Sequence, residues 1–394
     1  MNLFRNCFYL KLTQAPIQFF YIIVFTLLIL LSCADERYTE IIEIEHSLQP
    51  EIFNRQNSEP DLDAMLSSFD NFGSLNIMTY HGDFDVLVSL HHQQLMEYFE
   101  KKENLEKDSL HCSVFTFFDK DGGAYLGRNF DNKNTDVLVG LFIPDSGFAS
   151  IGFVPLMNLG FDDSNPFNPD SAKHRQRLLY GPLFTTDGLN ERGVAVTVAS
   201  VGRQTVAADS TKAYKYMLHL KRNILDHAYD LKSAVEIASQ FNVFDNGKHR
   251  LSHHLLIADS SGRSAVLEWH EGKMQVIRNK ADWQIATNTE MYDVSDQDLC
   301  RSCGRYNSIY DMLSAAPDTF SWQYAMNALY SAKQKNNIYH FPSGPLNVST
   351  QWSAVFELKE RAVNVCLQSK YDKVYRFKLQ SKEFYKSKTG RTLK

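Results

Sequence analysis

The stretch "LHCSVFTFFDKDGGAYLGRNFDN", Leu110–Asn132, reads as a β-hairpin with a cysteine at the mouth of its first strand. "SVFTFF" is β-branched and aromatic, "DKDGG" is turn chemistry, and "AYLGRNF" is a returning strand. With the turn centred on Asp121, Phe118 faces Ala124, Val114 faces Arg128 and Cys112 faces Phe130. Alternation then puts Cys112, Val114 and Arg128 on one face, with Asp131 just past the strand end beside Cys112. Local structure alone gathers a thiol, a guanidinium and a carboxylate. A nearby guanidinium favours the thiolate, lowering the thiol from its free pKa of roughly 8.5.

The constellation lacks a general base. A cut between His111 and Cys112 would create one, because an α-amine titrates at roughly 7.7–8.0 and sits a few bonds from the thiol. With that step, "C…GRNFD" resembles the start of the mature chain in N-terminal-nucleophile hydrolases of the choloylglycine hydrolase, penicillin acyltransferase and acid-ceramidase-like superfamily. The resemblance continues in order. "TTDGLNERGVAVTVASV" (185–201) is similar to the D-G-x-N-x-x-G segment that leads into a core strand. "LLIADSSGRSAVLEW" (255–269) is similar to a strand–turn–strand. "ATNTEMYD" (286–293) resembles the T-N segment, and "SCGRY" (302–306) resembles S-x-x-R-[YF].

The resemblance implies an α+β fold, a four-layer αββα sandwich with an N-terminal pro-segment. It implies Cys112 as the self-exposed nucleophile, Arg128 and Asp131 beside it, the Asn288 side chain in the oxyanion hole, and Arg305 supporting the nucleophile. A backbone oxyanion donor is expected near Ser200. The implied activity is hydrolysis of linear, non-peptide C–N amide bonds through a thioester. Substrates would be small N-acyl amides: bile-acid conjugates, N-acyl amines or lipid amides. Neither cofactor nor metal is implied. Two rivals remain: an acyltransferase that hands the acyl group to an amine, and a surface lipoprotein that binds a ligand without catalysis. Papain-like chemistry through His253 or His254 is disfavoured, because "SHHLL" reads as a strand start.

The rest of the 394-residue chain fits a secreted or tethered enzyme. Arg5 and Lys11 precede the apolar run "IQFFYIIVFTLLILLS", Ile17–Ser32, which ends at Cys33. That pattern reads as a signal peptide over 1–33 with a lipobox, lipidated at Cys33 and anchoring the body outside the cytoplasm; an uncleaved anchor helix is the alternative. Residues 34–111 read as an acidic linker and a helix near 84–105, forming a pro-segment or small subunit, and 112–394 as the catalytic domain. A net charge of −5 with scattered basic residues gives no reason to expect nucleic-acid binding. Cys300 and Cys303 form a single C-x-x-C, too little for a zinc site, though a disulfide is possible there. Helices are expected at about 212–241 and 321–334. The aromatic-rich stretch 140–161 is either an acyl pocket or core.

Overall fold

The computed structural model describes residues 37–44, 66–82, 84, 88, 111–206, 209–245, 250–318, 320–341 and 344–384. The segment read as a signal peptide, with Cys33, and nearly all of the helix expected near 84–105 lie outside the described residues. Among the described residues no helix is long and apolar enough to cross a membrane.

Two large sheets carry the unit that begins at Glu40. The first runs β1 (Glu40–Ile44), β19 (Lys370–Lys378), β18 (Ala362–Leu367), β17 (Gly344–Glu357), β5 (Ala124–Asn132), β4 (His111–Phe118), β15 (Trp283–Ala286), with β16 (Asn337–Phe341) also on β17. The second runs β14 (Lys273–Arg278), β13 (Ser264–His270), β12 (Arg250–Ala258), β9 (Ala195–Thr205), β8 (Asp187–Asn190), β7 (Ser150–Pro155), β6 (Val137–Pro144), β3 (Leu75–Gly82), β2 (Leu66–Phe72). A short parallel pair, β10 (Ala213–Tyr216) and β11 (Phe241–Phe244), stands apart.

Period-two alternation decides what each sheet face meets. Leu126 and Phe130 of β5 pack with Val139, Ile151, Phe153 and Leu189 of the second sheet, so the main core lies between the sheets. Phe130 stacks on Trp352 of β17, ring centroids 4.0 Å apart. The second sheet's outer face, Val194, Val196 and Leu255 among others, is covered by two helices. After α1 (Ala172–Leu178), these are α2 (Met217–His227) and α3 (Leu231–Ser239). A short helix, α4 (Asp296–Ser302), precedes α5 (Gly304–Ser314) and α6 (Trp322–Ser331), which pack on the first sheet through β4, β5, β15 and β17. Helix, sheet, sheet, helix is the expected αββα sandwich.

The hairpin register is the expected one: Cys112 pairs with Phe130, Val114 with Arg128 and Phe118 with Ala124. Gly127 in the returning strand has a steric reason, since a Cβ there would lie 2.3 Å from the Phe115 ring. One expectation is corrected. The helix expected over 212–241 begins as β10 and is broken between His227 and Leu231, where Asp230 caps α3 with a capping box. Of the two readings of 140–161 the core one holds: it is mostly core strand, and only Met157 and Asn158 of it line the main cavity. The polar region before residue 72 supplies strands, β1 on one sheet and β2 on the other, and the "NRQNSEPDLD" stretch read as linker, 54–63, lies outside the described residues.

β3 extends this contribution into the interior. It lies parallel to β6 from Leu75↔Val137 to Gly82↔Pro144, and all eight of its residues are buried. Burying Leu75, Ile77, Met78 and Tyr80 contributes roughly 6–12 kcal/mol before ordering costs. A protease nick between Gly82 and His111 is therefore expected to leave the 40–82 piece bound: both fragments should co-elute in native size exclusion and separate only in denaturant.

Candidate active site

The site forms where β4 begins. Cys112, on the inner face of the first sheet, lines a cavity of about 680 Å³ between the sheets. Arg128 shares that face and that cavity. Its Nε lies 3.1 Å from Asp187 Oδ1 of the second sheet, both side chains fully buried. Asp187 also accepts from Thr197 Oγ1 at 2.5 Å and Thr186 Oγ1 at 3.2 Å.

Asn288 arrives by register. β15 runs antiparallel to β4 with Ala286 opposite Val114, so two residues further on Asn288 stands beside Cys112. Its Oδ1 accepts from the Cys112 backbone N at 2.7 Å, and its Nδ2 donates to the Ser200 carbonyl at 2.7 Å. Arg305, in the first turn of α5, donates to the Cys112 carbonyl, to Ser113 Oγ at 3.1 Å and to Asn288 Oδ1 at 2.8 Å.

Asp131 differs from its sequence-based placement. It lies within β5, opposite His111, and alternation puts it on the outer face, away from the Cys112 and Arg128 side chains. There Thr350 Oγ1 donates to Oδ1 at 2.6 Å, and Arg305 Nη1 lies 3.6 Å from Oδ2. The Cys112 side chain thus faces the cavity, while the groups that hold its backbone stand behind the strand against α5. Asn288 Nδ2 is taken up by the Ser200 carbonyl, itself an acceptor, so this pair offers no open oxyanion donor.

Burial also changes the electrostatics. The Cys112 thiol is raised above its ordinary value, because desolvation outweighs the lowering charge of Arg128 and the carboxylates of Asp131 and Asp187 add to the rise. The expected thiolate-favouring effect of the guanidinium is present but loses. Burial pushes Asp131 up to about 6 against the opposing pull of Arg305, Thr350 and Arg128.

Several residues escaped the sequence reading. Thr350 carries no motif signal. Asp187 sits inside the "TTDGLN" segment already singled out, but only the sheet-to-sheet pairing shows its role. His254 is buried, with Nε2 2.9 Å from the Thr287 carbonyl and Nδ1 2.7 Å from Glu268 Oε1. Glu268 in turn accepts from the Met291 and Tyr292 amides. His254 and Glu268 thereby hold the 287–292 loop that presents Asn288. His253 lines the cavity, its Nδ1 on Asp245. Cys300 and Cys303 are free thiols.

Parts of the chain are similar to known proteins. Residues 181–372 match the model of the acyl-coenzyme A:6-aminopenicillanic acid acyl-transferase family. A 122-residue segment is 32% identical to penicillin V acylase from Pectobacterium atrosepticum, spanning 29% of this chain and 32% of that protein's length. Among solved structures, conjugated bile acid hydrolase from Clostridium perfringens aligns at TM-score 0.48 and 14% identity, over 65% of this chain and 89% of that one. Penicillin V acylase from Agrobacterium tumefaciens aligns at 0.47 and 18%, over 65% and 83%. The family match takes in just under half of the chain, and the chain spans about a third of the length of the penicillin V acylase it matches.

The Asp131 environment makes a signed prediction. A carboxyl near pH 6 when folded and about 3.8 when unfolded holds its proton more tightly in the folded chain, so its stabilising effect is lost as pH rises through 6. In urea melts, the stability of Asp131→Asn relative to wild type should rise by up to about 3 kcal/mol between pH 4 and pH 6.5. A flat difference would show that Asp131 is ionised throughout.

Proposed function

We propose that the protein hydrolyses linear, non-peptide C–N amide bonds, with Cys112 as an N-terminal nucleophile exposed by self-cleavage after His111. The observation that carries this reading is the grip on Cys112: nitrogen on Asn288 Oδ1, carbonyl on Arg305, and thiol on a cavity large enough for a substrate. A structural cysteine has no use for clamps on both backbone groups.

Maturation and turnover follow from the same parts. The Cys112 sulfur attacks the His111 carbonyl carbon, the acyl group moves from nitrogen to sulfur, and water cleaves the thioester. The freed α-amine remains against Asn288 Oδ1. In turnover this amine takes the Cys112 thiol proton as sulfur attacks the substrate carbonyl, then delivers it to the departing amine. Water hydrolyses the resulting thioester. Asn288 Nδ2 serves the oxyanion by exchanging its bond to Ser200. One such donor is typically worth about 10²–10³ in rate. An acyltransferase variant, in which an amine replaces water, is the second reading, favoured by the acyl-transferase family match over 181–372. From the pattern at Ile17–Cys33 we further propose a lipid-anchored enzyme of the cell envelope.

Intact-mass spectrometry with N-terminal sequencing tests the mechanism. Wild type should show a chain beginning at Cys112, and Cys112→Ala should stay uncut and lose more than about 10³-fold in amidase rate. An uncut wild type that still turns over would remove the α-amine from the mechanism.

A further inference from the structure

Asn288 is fixed at its backbone by two side chains that lie off the cavity. His254 and Glu268 stand opposite each other on β12 and β13, one step beyond the paired Leu255 and Leu267, and both are fully buried. A carbonyl oxygen only accepts, so His254 Nε2 donates to Thr287, whose carbonyl belongs to the peptide unit leading into Asn288. Fixing that planar unit fixes the direction in which the Asn288 side chain leaves the backbone. Further along, Glu268 accepts from the Met291 amide with both oxygens, at 2.9 and 3.0 Å, and from the Tyr292 amide at 2.9 Å. The loop that follows β15 of the first sheet is thereby caught at its entry and its exit by one pair on the second.

At the tip of the residue, Asn288 Oδ1 is taken by the Cys112 amide and by Arg305. With the backbone and Oδ1 both fixed, Nδ2 is the atom left to exchange the Ser200 carbonyl for a substrate oxyanion. We propose that His254 and Glu268 are positioning residues for the amide reaction. By orienting the peptide between Thr287 and Asn288 they hold Asn288 where its Nδ2 can meet the oxyanion, and their effect on rate passes through Asn288 alone. This rests on the amide-cleaving reading. Apolar packing would close the loop as well, and ionisable side chains buried in its place contribute little net stability. Hydrogen bonds add an angle that packing does not set.

The contacts can be removed one at a time. The side-chain amide nitrogen of a glutamine reaches the place of Nε2, and that of an asparagine the place of Nδ1. His254→Gln therefore keeps the donor to Thr287, whereas His254→Asn keeps the contact with Glu268 and abandons Thr287. Glu268→Gln still accepts from the Met291 and Tyr292 amides through its oxygen while its nitrogen donates to the imidazole. Glu268→Met has similar volume and accepts from none of them.

The test measures kcat and KM on octanoyl para-nitroanilide. His254→Asn and Glu268→Met should each lower kcat by about 10- to 100-fold with KM within about twofold, a smaller loss than the roughly 10²–10³ expected on removing Asn288 itself. His254→Gln and Glu268→Gln should stay within about threefold of wild type. Added to Asn288→Ala, His254→Asn should cost at most about twofold more, because a residue that acts through Asn288 then has nothing to position. An undiminished further loss in that background, or equal rates for His254→Gln and His254→Asn, overturns the proposal. Hydrogen exchange on Cys112→Ala separates the two readings if wild type turns over no amide. Adding His254→Asn or Glu268→Met should then speed exchange at 287–292 and at the amide of position 112, while the rest of β4 and β15 keeps its protection. That result upholds the positioning of Asn288 while the amidase reading falls. Unchanged exchange at those amides, or a rise spread over both sheets, marks a purely structural pair and removes the proposal.

Discussion

The buried pair of Arg128 and Asp187 is the constraint around which the functional end of the sandwich is organised. Elsewhere the sheets meet through Phe130, Phe153, Trp352 and their neighbours, a contact that is strong but carries no direction. At the cavity a charge on β5 meets a charge on β8 at 3.1 Å, with no solvent exposure on either side. Such a pair contributes little net stability against an apolar substitute, but removing one partner costs about 3–5 kcal/mol. Its value is placement: it aims a guanidinium at the strand that carries the thiol.

From that placement follows a division of labour across one sheet. The inner face of β4 and β5 holds what touches the cavity, Cys112 and Arg128. The outer face holds Ser113 and Asp131, which Arg305 gathers from α5. Arg305 and Asn288 reach Cys112 through backbone atoms, so they fix the residue's position while leaving its side chain on the other face. The grip on the backbone and the chemistry of the thiol are thus separated by the thickness of a pleated strand.

How much of this was legible depended on how local each signal was. The hairpin was, because turn chemistry and period-two alternation lie within one short segment, and the register came out residue for residue. The side of Asp131 was not: treating it as past the strand end hid the alternation that turns it outward. Strand β3 escaped notice because burial on both faces erases the apolar–polar pattern that marks a strand. The break at Asp230 carried a capping signal, but the apolar spacing of α2 and α3 ran through it unbroken. Asp187 and Thr350 come from distant segments, and only the closed sandwich brings them to the site.

The raised pKa of the Cys112 thiol also bears on how the protein ages. Attack by peroxide or by a foreign disulfide requires a thiolate within reach, and susceptibility follows charge and exposure together. In the intact strand Cys112 is 2% exposed and biased toward its protonated form. Cys300 and Cys303 are more open to solvent, so they stand ahead of Cys112 in the path of an oxidant. The fold in this sense shelters Cys112, keeping its sulfur out of reach while Cys300 and Cys303 meet an oxidant first.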